Sequence, residues 1–500
     1  MWNAYFQPGD YLAIRPEIIL AMFGLAILIL NFLLEKRNKY LNAVTALIGL
    51  GFAAIPLGWF WSFASTHPGW LPYQGFDGRF TLDTFAIYLK LIIVVSTAIV
   101  VLLSVKYLEI EDAHYGEYYS LLLFCAVGMM LLASGTDLIV LFLGLEVMAL
   151  CEYVLTGFLR GNRRSNEAAV KFFLLGAFSS GLLLYGMSLL YGISGSTKLA
   201  PINQHLSERL ALNPRDPISW VALITILAGL YFKVAAVPFH QWTPDAYEGA
   251  PTSITAFISV GPKVASFALL VRLLLVALWP MAHQWQALTI IVAIATMTLG
   301  NLAAITQTNI KRFFAYSTIS HVGYLLLGLV AAADGEKGKE GLTAILIYLL
   351  VYAFMNLGAF AVIIMMRRRD IVGDEIDDMS GLMFRAPVPA ILMLIFLLSL
   401  AGIPPTAGFI GKYFIFLSLI ETSHYILAVL AVIYAVVALY YYFRIVVVMF
   451  MRKATDTVPL AGGPGLRWAL GISMTFTLLI GIYPQPFIVM AREAIRPFFS

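Results

Sequence analysis

Charge is scarce in this sequence. Asp, Glu, Lys and Arg make up 12% of its 500 residues, against roughly 25% in ordinary soluble domains, while 61% are hydrophobic. A soluble fold of this length has too little interior to hide that much apolar surface, so lipid must cover the rest. Cysteine is scarcer still. Cys125 and Cys151, both in apolar runs, are too few to ligate an iron–sulfur cluster or to form a disulfide framework, and are expected as buried free thiols. The N-terminus lacks the basic region and small-residue cleavage site of a signal peptide, so the first apolar run is expected to stay as a helix. No basic run interleaved with aromatics suggests a nucleic-acid groove, and the net charge of +4 argues neither for nor against one.

Cofactor motifs are also missing. Gly192-Ile-Ser-Gly-Ser-Thr-Lys198 has the residues of a phosphate loop in the wrong order, with no helix expected after it. There is no GxGxxG after a strand, no His/Asp/Glu cluster at metal-ligand spacing and no Ser/His/Asp set. Neither a metal nor a bound cofactor is expected in this chain.

What is present is a succession of apolar runs long enough to span a bilayer. About fourteen are legible, near 12–34, 41–63, 84–106, 118–134, 137–159, 168–192, 219–247, 252–278, 285–306, 313–333, 341–366, 388–420, 425–451 and 468–490. The connections are too short for a soluble domain, so the fold class is an all-α polytopic membrane protein forming one bundle over 1–500. The basic connections hold Lys36, Arg37 and Lys39, then Arg160, Arg163 and Arg164, then Lys311 and Arg312, then Arg367, Arg368 and Arg369, then Arg452 and Lys453. They share one side, which the positive-inside rule makes cytoplasmic. An even number of spans then puts both termini outside.

Two spans are long and interrupted by proline, at Tyr231-Phe-Lys-Val-Ala-Ala-Val-Pro-Phe-His240 and at Leu400-Ala-Gly-Ile-Pro-Pro-Thr-Ala-Gly-Phe-Ile-Gly-Lys412. Proline removes a helical hydrogen bond, and the freed carbonyls must face protein or water at membrane depth. A broken helix in each half points to inverted repeats. The expected division is 1–117 (three N-terminal helices), 118–278 and 279–453 (two five-helix repeats) and 454–500 (a last helix). The halves match imperfectly, since Lys233 precedes its break and Lys412 follows its own.

An ionisable side chain at the bilayer centre costs about 2.5 kcal/mol or more, so each needs a reason. Glu17, Lys90, Lys106, Arg272 and Arg444 lie near span ends, where snorkelling to the interface is the simpler expectation. Glu146 sits mid-span in Leu138-Ile-Val-Leu-Phe-Leu-Gly-Leu-Glu-Val-Met-Ala-Leu-Cys151, on a stem too short to snorkel. Lys233 and Lys263 lie near mid-depth at about 1.5 Å per residue. Lys412 is in the second broken helix, His321 lies within Ser317-Thr-Ile-Ser-His-Val-Gly-Tyr324, and Lys171 is close to the start of its span. Glu152 is left without a role. Desolvation disfavours an ammonium and a nearby carboxylate restores it, so a lysine balanced between the two can exchange a proton near neutral pH. Static ion pairs that fix packing are the bland alternative; several deep groups on separate helices favour a proton relay.

Phe239-His-Gln-Trp-Thr-Pro-Asp-Ala-Tyr-Glu-Gly-Ala-Pro-Thr252, which contains His240 and follows Lys233, resembles the signature of the antiporter-like subunits of respiratory complex I, as does Leu143-Gly-Leu-Glu146. Within that superfamily, Arg164-Ser-Asn-Glu-Ala-Ala-Val-Lys171, Leu184-Tyr-Gly-Met-Ser-Leu-Leu-Tyr-Gly192 and Tyr440-Tyr-Tyr-Phe-Arg444 are similar to the N type. Lysine follows Gly408-Phe-Ile-Gly411 where the M type has glutamate, and the chain lacks the lateral helix of the L type. The resemblance implies a proton-translocating subunit of an NADH–quinone oxidoreductase in a bacterial inner membrane or an equivalent energy-transducing one. In it Glu146 tunes Lys233, Lys263 is the central relay, Lys412 releases the proton, His321 bridges to Lys412, and Lys171 and His240 are secondary. NAD, FMN, iron–sulfur clusters and quinone would belong to partner subunits, with M-type and K-type membrane neighbours. A subunit of a multisubunit cation/proton antiporter and a non-pumping structural subunit are the alternatives.

Overall fold

The computed structural model describes residues 7–35, 38–67, 69–113, 115–367, 373–454, 460 and 462–499. Of the basic residues used for orientation, Lys36, Arg37, Arg368 and Arg369 lie outside them. Thirteen helices among the described residues are long and apolar enough to cross a membrane. In order these include α1 (Arg15–Leu33), α2 (Leu41–Thr66), α3 (Thr84–Ile110), α4 (Gly116–Ser134), α5 (Leu138–Thr156), α6 (Arg163–Ser194), α7 (Pro217–Val234) and α8 (Thr252–Arg272). Then come α9 (Ala282–Thr306), α10 (Ile310–Ala332) and α11 (Lys339–Met366). The expected span 388–420 is divided between α12 (Pro387–Ala401) and α13 (Ala407–Glu421), and α14 (Tyr425–Met451) and α15 (Pro464–Ile482) complete the bundle. The only sheet among the described residues is a short antiparallel hairpin, Tyr73–Gly75 with Phe80–Leu82.

Polar residues at the helix starts satisfy amides that have no intrahelical acceptor. Asp83 accepts from Ala86, Asp137 from Ile139, Asn162 from Arg164 and Ser165, and Asn309 from Lys311 and Arg312. Asp216 accepts from Ser219 at the start of α7, and the guanidinium of Arg209 beside it holds its carboxyl well below the usual carboxylate range. Pro217, Pro387 and Pro464 occupy first-turn positions, where a missing N–H costs nothing.

The apolar faces sort the helices into a centre and a rim. Nearly every side chain of α8, α10 and α11 is buried, while α1, α6, α9, α14 and α15 turn much of their surface outward. Phe32, Phe178 and Ile426 are among the large apolar residues on that outer surface, where lipid replaces the protein neighbours a soluble core would need.

Snorkelling is corrected for three residues. Glu17, Lys90 and Arg272 are all buried. Lys90 Nζ lies 2.5 Å from Glu17 Oε1, and Arg272 Nη2 lies 2.9 Å from Asp83 Oδ1 while its Nε donates to the Ala133 carbonyl. The reason is their position: α3 and α8 are covered by other helices where these stems lie, so partners inside the protein substitute for water. Arg444 also turns inward, donating to the carbonyls of Ile305 and Gln307. Lys106 stays at the surface and pairs with Glu109.

Candidate proton-transfer line

Two helix ends organise the interior. α7 stops at Val234, Ala235 adopts a left-handed conformation (φ 66°), and helix resumes only at Trp242–Gly249. That ending leaves carbonyls at membrane depth, which need donors. The indole of Trp242 donates to the Phe232 carbonyl at 2.9 Å, and Lys263 Nζ donates to the Val234 carbonyl at 2.6 Å. Lys263 follows Pro262 inside α8, where the proline lacks the N–H that a helix would use. The Lys263 ammonium also stands 5.3 Å from the centre of the Trp242 ring, which is itself stacked on Phe172.

The second end repeats the arrangement with different residues. α12 stops at Ala401, Gly402 takes a left-handed conformation (φ 88°), and α13 begins at Ala407. Lys412 Nζ donates to the Ala401 carbonyl at 2.7 Å and stands 5.2 Å from the centre of the Tyr324 ring. A Cβ on Gly402 would come within 2.7 Å of Lys412 Cδ, so the glycine makes room for the lysine stem. Both ammoniums therefore sit at the negative end of a helix, where cations are favoured.

Lys233 is buried in the last turn of α7, with Nζ 3.5 Å from the Tyr153 hydroxyl on α5. Glu146 is half-buried on α5 about two turns before Tyr153, and its Oε1 has no hydrogen-bond partner among the described residues. Among the described residues, no ion pair within 4 Å joins it to Lys233, whose ammonium meets the Tyr153 hydroxyl instead. Among the described residues, Lys233, Lys263 and Lys412 have no such ion pair, in contrast to Lys90. Their partners are neutral oxygens.

Between Lys263 and Lys412 lies a series of hydroxyls and amides. Ser259, one turn before Lys263, accepts from Asn356 at 2.6 Å; Tyr352 pairs with Thr318 at 2.8 Å; His321 contacts the Tyr348 hydroxyl at 2.6 Å and the Tyr442 hydroxyl at 3.0 Å. Tyr348, Tyr352 and Asn356 are four residues apart, which puts them on one face of α11. That spacing is readable in the sequence and was the available signal for residues that charge alone does not reveal.

The structure brings Lys233, Lys263, His321 and Lys412 into the bundle interior, holds Glu146 half-buried, and leaves two expected residues apart. Lys171 is exposed, bound to Glu167 at 2.9 Å and Asp245 at 3.1 Å, beside the Arg312 pairs with Asp245 and Glu248. Its place near the start of α6 puts it at the surface. His240 is half-buried in the unwound stretch after α7, and its Nδ1 has no hydrogen-bond partner. Glu152, given no role from the sequence, is buried to 3% exposure, and its Oε1 has no hydrogen-bond partner among the described residues.

Interrupted helices that offer carbonyls to buried lysines, in an all-α bundle, define a polytopic membrane protein with cationic groups in its interior. Residues 135–438 match the family described as "NADH:quinone oxidoreductase/Mrp antiporter, TM". The chain is 56% identical over 482 residues to NADH-quinone oxidoreductase subunit N 1 of Koribacter versatilis (strain Ellin345), covering 96% of this chain and 94% of that one. It is 52% identical to NADH-quinone oxidoreductase subunit N 2 of Solibacter usitatus (strain Ellin6076), covering 99% of both. A chain of respiratory complex I from Thermus thermophilus with bound aureothin superposes with a TM-score of 0.78 at 30% identity, covering 95% of this chain and 99% of that one. The chain belongs to the NADH-quinone oxidoreductase subunit N family.

Proposed function

We propose that the chain carries protons across the membrane along Lys233, Lys263, His321 and Lys412, driven by quinone reduction in partner subunits. The observation that carries this reading is the bonding of the three lysines. Each is buried, none closes an ion pair within 4 Å among the described residues, and each is held by a carbonyl or hydroxyl oxygen. An amine held in this way can give up and regain a proton without separating a salt bridge. A static pair, of which Lys90 with Glu17 is the example here, does not have that freedom.

The hydroxyls of Tyr352, Thr318, Tyr348 and Tyr442 support a path between the two halves, because each can accept a proton on one lone pair and donate another. The shared lysine-to-carbonyl contact at the ends of α7 and α12 supports two repeats, 118–278 and 279–453, around that path. Lys171, with Asp245, Glu248 and Arg312, forms the charged surface from which protons would be drawn, and His240 lies between that surface and Lys233 in the sequence of α7 and its continuation. The chain works in a bacterial plasma membrane with both termini outside, among M-type and K-type membrane subunits. NAD, FMN, iron–sulfur clusters and quinone are held elsewhere in the complex.

The test is NADH-driven proton uptake by inverted membrane vesicles, with NADH oxidation and assembly measured on the same membranes. Lys412→Ala should lower uptake per NADH roughly tenfold, on the scale at which members of a coupled network act. Lys412→Arg should not restore it, since a guanidinium keeps its proton at working pH. Full uptake by the alanine variant removes Lys412 from the path.

A further inference from the structure

We propose that the chain holds one phospholipid with a zwitterionic ethanolamine head group. Its acyl tail lies in a groove among α2, α3, α11 and α15, and its head group beside Glu493 and Arg496.

The groove is a cavity of about 530 Å³ that follows α3 from Tyr88 to Leu102. Fourteen residues of helix make it about 21 Å long, more than the roughly 15 Å that one leaflet's hydrocarbon occupies. Small residues open it: Gly51 and Ala54 on α2 and Ala98 on α3 line it, and a Cβ added to Gly51 would meet nothing within 4 Å. Tyr88 carries the one hydroxyl among the described lining residues, and it already donates to the Leu346 carbonyl at 3.3 Å. Water in a cavity needs several polar partners, so hydrocarbon suits this space and water does not. Bilayer hydrocarbon is at hand, because α15 is a rim helix and α2 exposes Phe52 and Ile55 beside Gly51 and Ala54. A helix from a neighbouring subunit is too thick to enter. At 10–12 Å across it would fill at least roughly 1,600 Å³ over the same length, about three times the cavity. A single acyl tail is slender enough.

The groove acquires a polar end. A second cavity, of about 450 Å³, lies one turn further along α3 and along α16 (Gln485–Ala494), with Thr84 following Tyr88 and Glu493 following Met490. The two spaces meet where the rings of Trp61 and Tyr88 stand 6.5 Å apart. Tryptophan is enriched at the depth of lipid head groups, so Trp61 marks that depth here. Beyond it Arg496 Nη2 and Glu493 Oε1 are 2.6 Å apart and exposed. An exposed ion pair is worth little. A lipid phosphate can therefore take the guanidinium, a strong partner for it, while the lipid ammonium takes the carboxylate. A zwitterion supplies both charges; an anionic head group would set its phosphate beside an unanswered Glu493. The tail would support the back of the central helix, since Leu350 and Phe354 line the groove two residues, or about 200°, round α11 from Tyr348 and Tyr352.

The experiment places the assembled complex in vesicles containing phosphatidylethanolamine whose tail carries a diazirine, and maps the labelled peptides after illumination. Residues 91–106 of α3 should be labelled above the outward face of α14. Unlabelled phosphatidylethanolamine should suppress that labelling more strongly than unlabelled phosphatidylglycerol. Gly51→Leu fills the groove without a clash and takes the room of about two buried methylenes, so labelling should fall roughly tenfold. Glu493→Gln should remove the preference between the two lipids. Labelling of α3 no higher than that of α14, or unchanged in Gly51→Leu, overturns the tail site. Equal competition by the two lipids overturns the head-group assignment. A partner subunit's peptide captured by a photoreactive group on Gly51→Cys, in place of lipid, assigns the groove to a protein contact and overturns the proposal. The competition is read on the unaltered complex, so it decides the matter even where a variant fails to assemble.

Discussion

At the residue scale, legibility followed rarity. Lys233, Lys263, Lys412 and His321 stand out in apolar runs because each is expensive there, and all four are buried in the interior. Residues that are ordinary in membrane helices did not stand out. Tyr153, Tyr348, Tyr352 and Asn356 blend with the aromatic and small polar residues that fill such helices, so their contacts with Lys233, His321, Thr318 and Ser259 became visible only in three dimensions. Distance from the span end was a poor guide for Glu17, Lys90 and Arg272, because it says how deep a residue lies but not whether protein or lipid surrounds it. Glu146 and Lys233 give the first expectation at this scale. The resemblance gives Glu146 the task of tuning Lys233, so Glu146→Gln should impair uptake while preserving assembly. Combining Glu146→Gln with Lys233→Ala should cost less than the sum of the two single losses, by roughly the 0.5–3 kcal/mol typical of coupled neighbours. Strictly additive losses in vesicle uptake would make the two residues independent.

At the element scale, proline and glycine marked where helices stop. The expected interruptions near Pro238 and Pro404 fall where α7 gives way to Trp242–Gly249 and α12 to α13. Less legible was what an interruption does. A freed carbonyl is visible in a sequence only as an absence, and its acceptor role depends on which lysine reaches it: Lys263 comes from the next helix and Lys412 from the second half of the same span. What the two helix ends share is a carbonyl acceptor and not a lysine position. Gly402 tests the geometry. Its φ of 88° suits glycine, and an added Cβ would meet the Lys412 stem. Gly402→Ala should therefore destabilise the subunit by about 1–3 kcal/mol and displace the ammonium from the Ala401 carbonyl. The measurements are a lower Tm of the detergent-solubilised complex and reduced uptake per NADH; an unchanged Tm with normal uptake would mean the turn relaxes freely.

At the scale of the whole molecule, the arrangement is lateral. Lys233 and Lys263 belong to one half, Lys412 to the other, and α10 and α11 stand between them with almost no solvent-exposed surface. Charge alone cannot cross that distance; hydroxyls, amides and any water they hold must. Asn356 is the residue on which this claim turns. It is buried on the central helix α11, it donates to Ser259 one turn from Lys263, and it shares a face with Tyr352 and Tyr348, which lead to Thr318 and His321. Replacing it by leucine keeps similar volume and leaves every charged group in place. If the halves work as separate sites, Asn356→Leu should pump normally. If a proton crosses between them, the leucine removes the Asn356–Ser259 hydrogen bond from the polar groups that lie between, and uptake per NADH should fall roughly tenfold, as for loss of a coupled member. Asn356→Ser, which keeps a donor and acceptor and leaves room for water, should recover part of the loss. Ser259→Ala, by contrast, orphans the Asn356 amide without filling space, so its effect should be smaller than that of the leucine. Normal uptake by Asn356→Leu in a fully assembled complex would separate the two halves and confine proton movement to each.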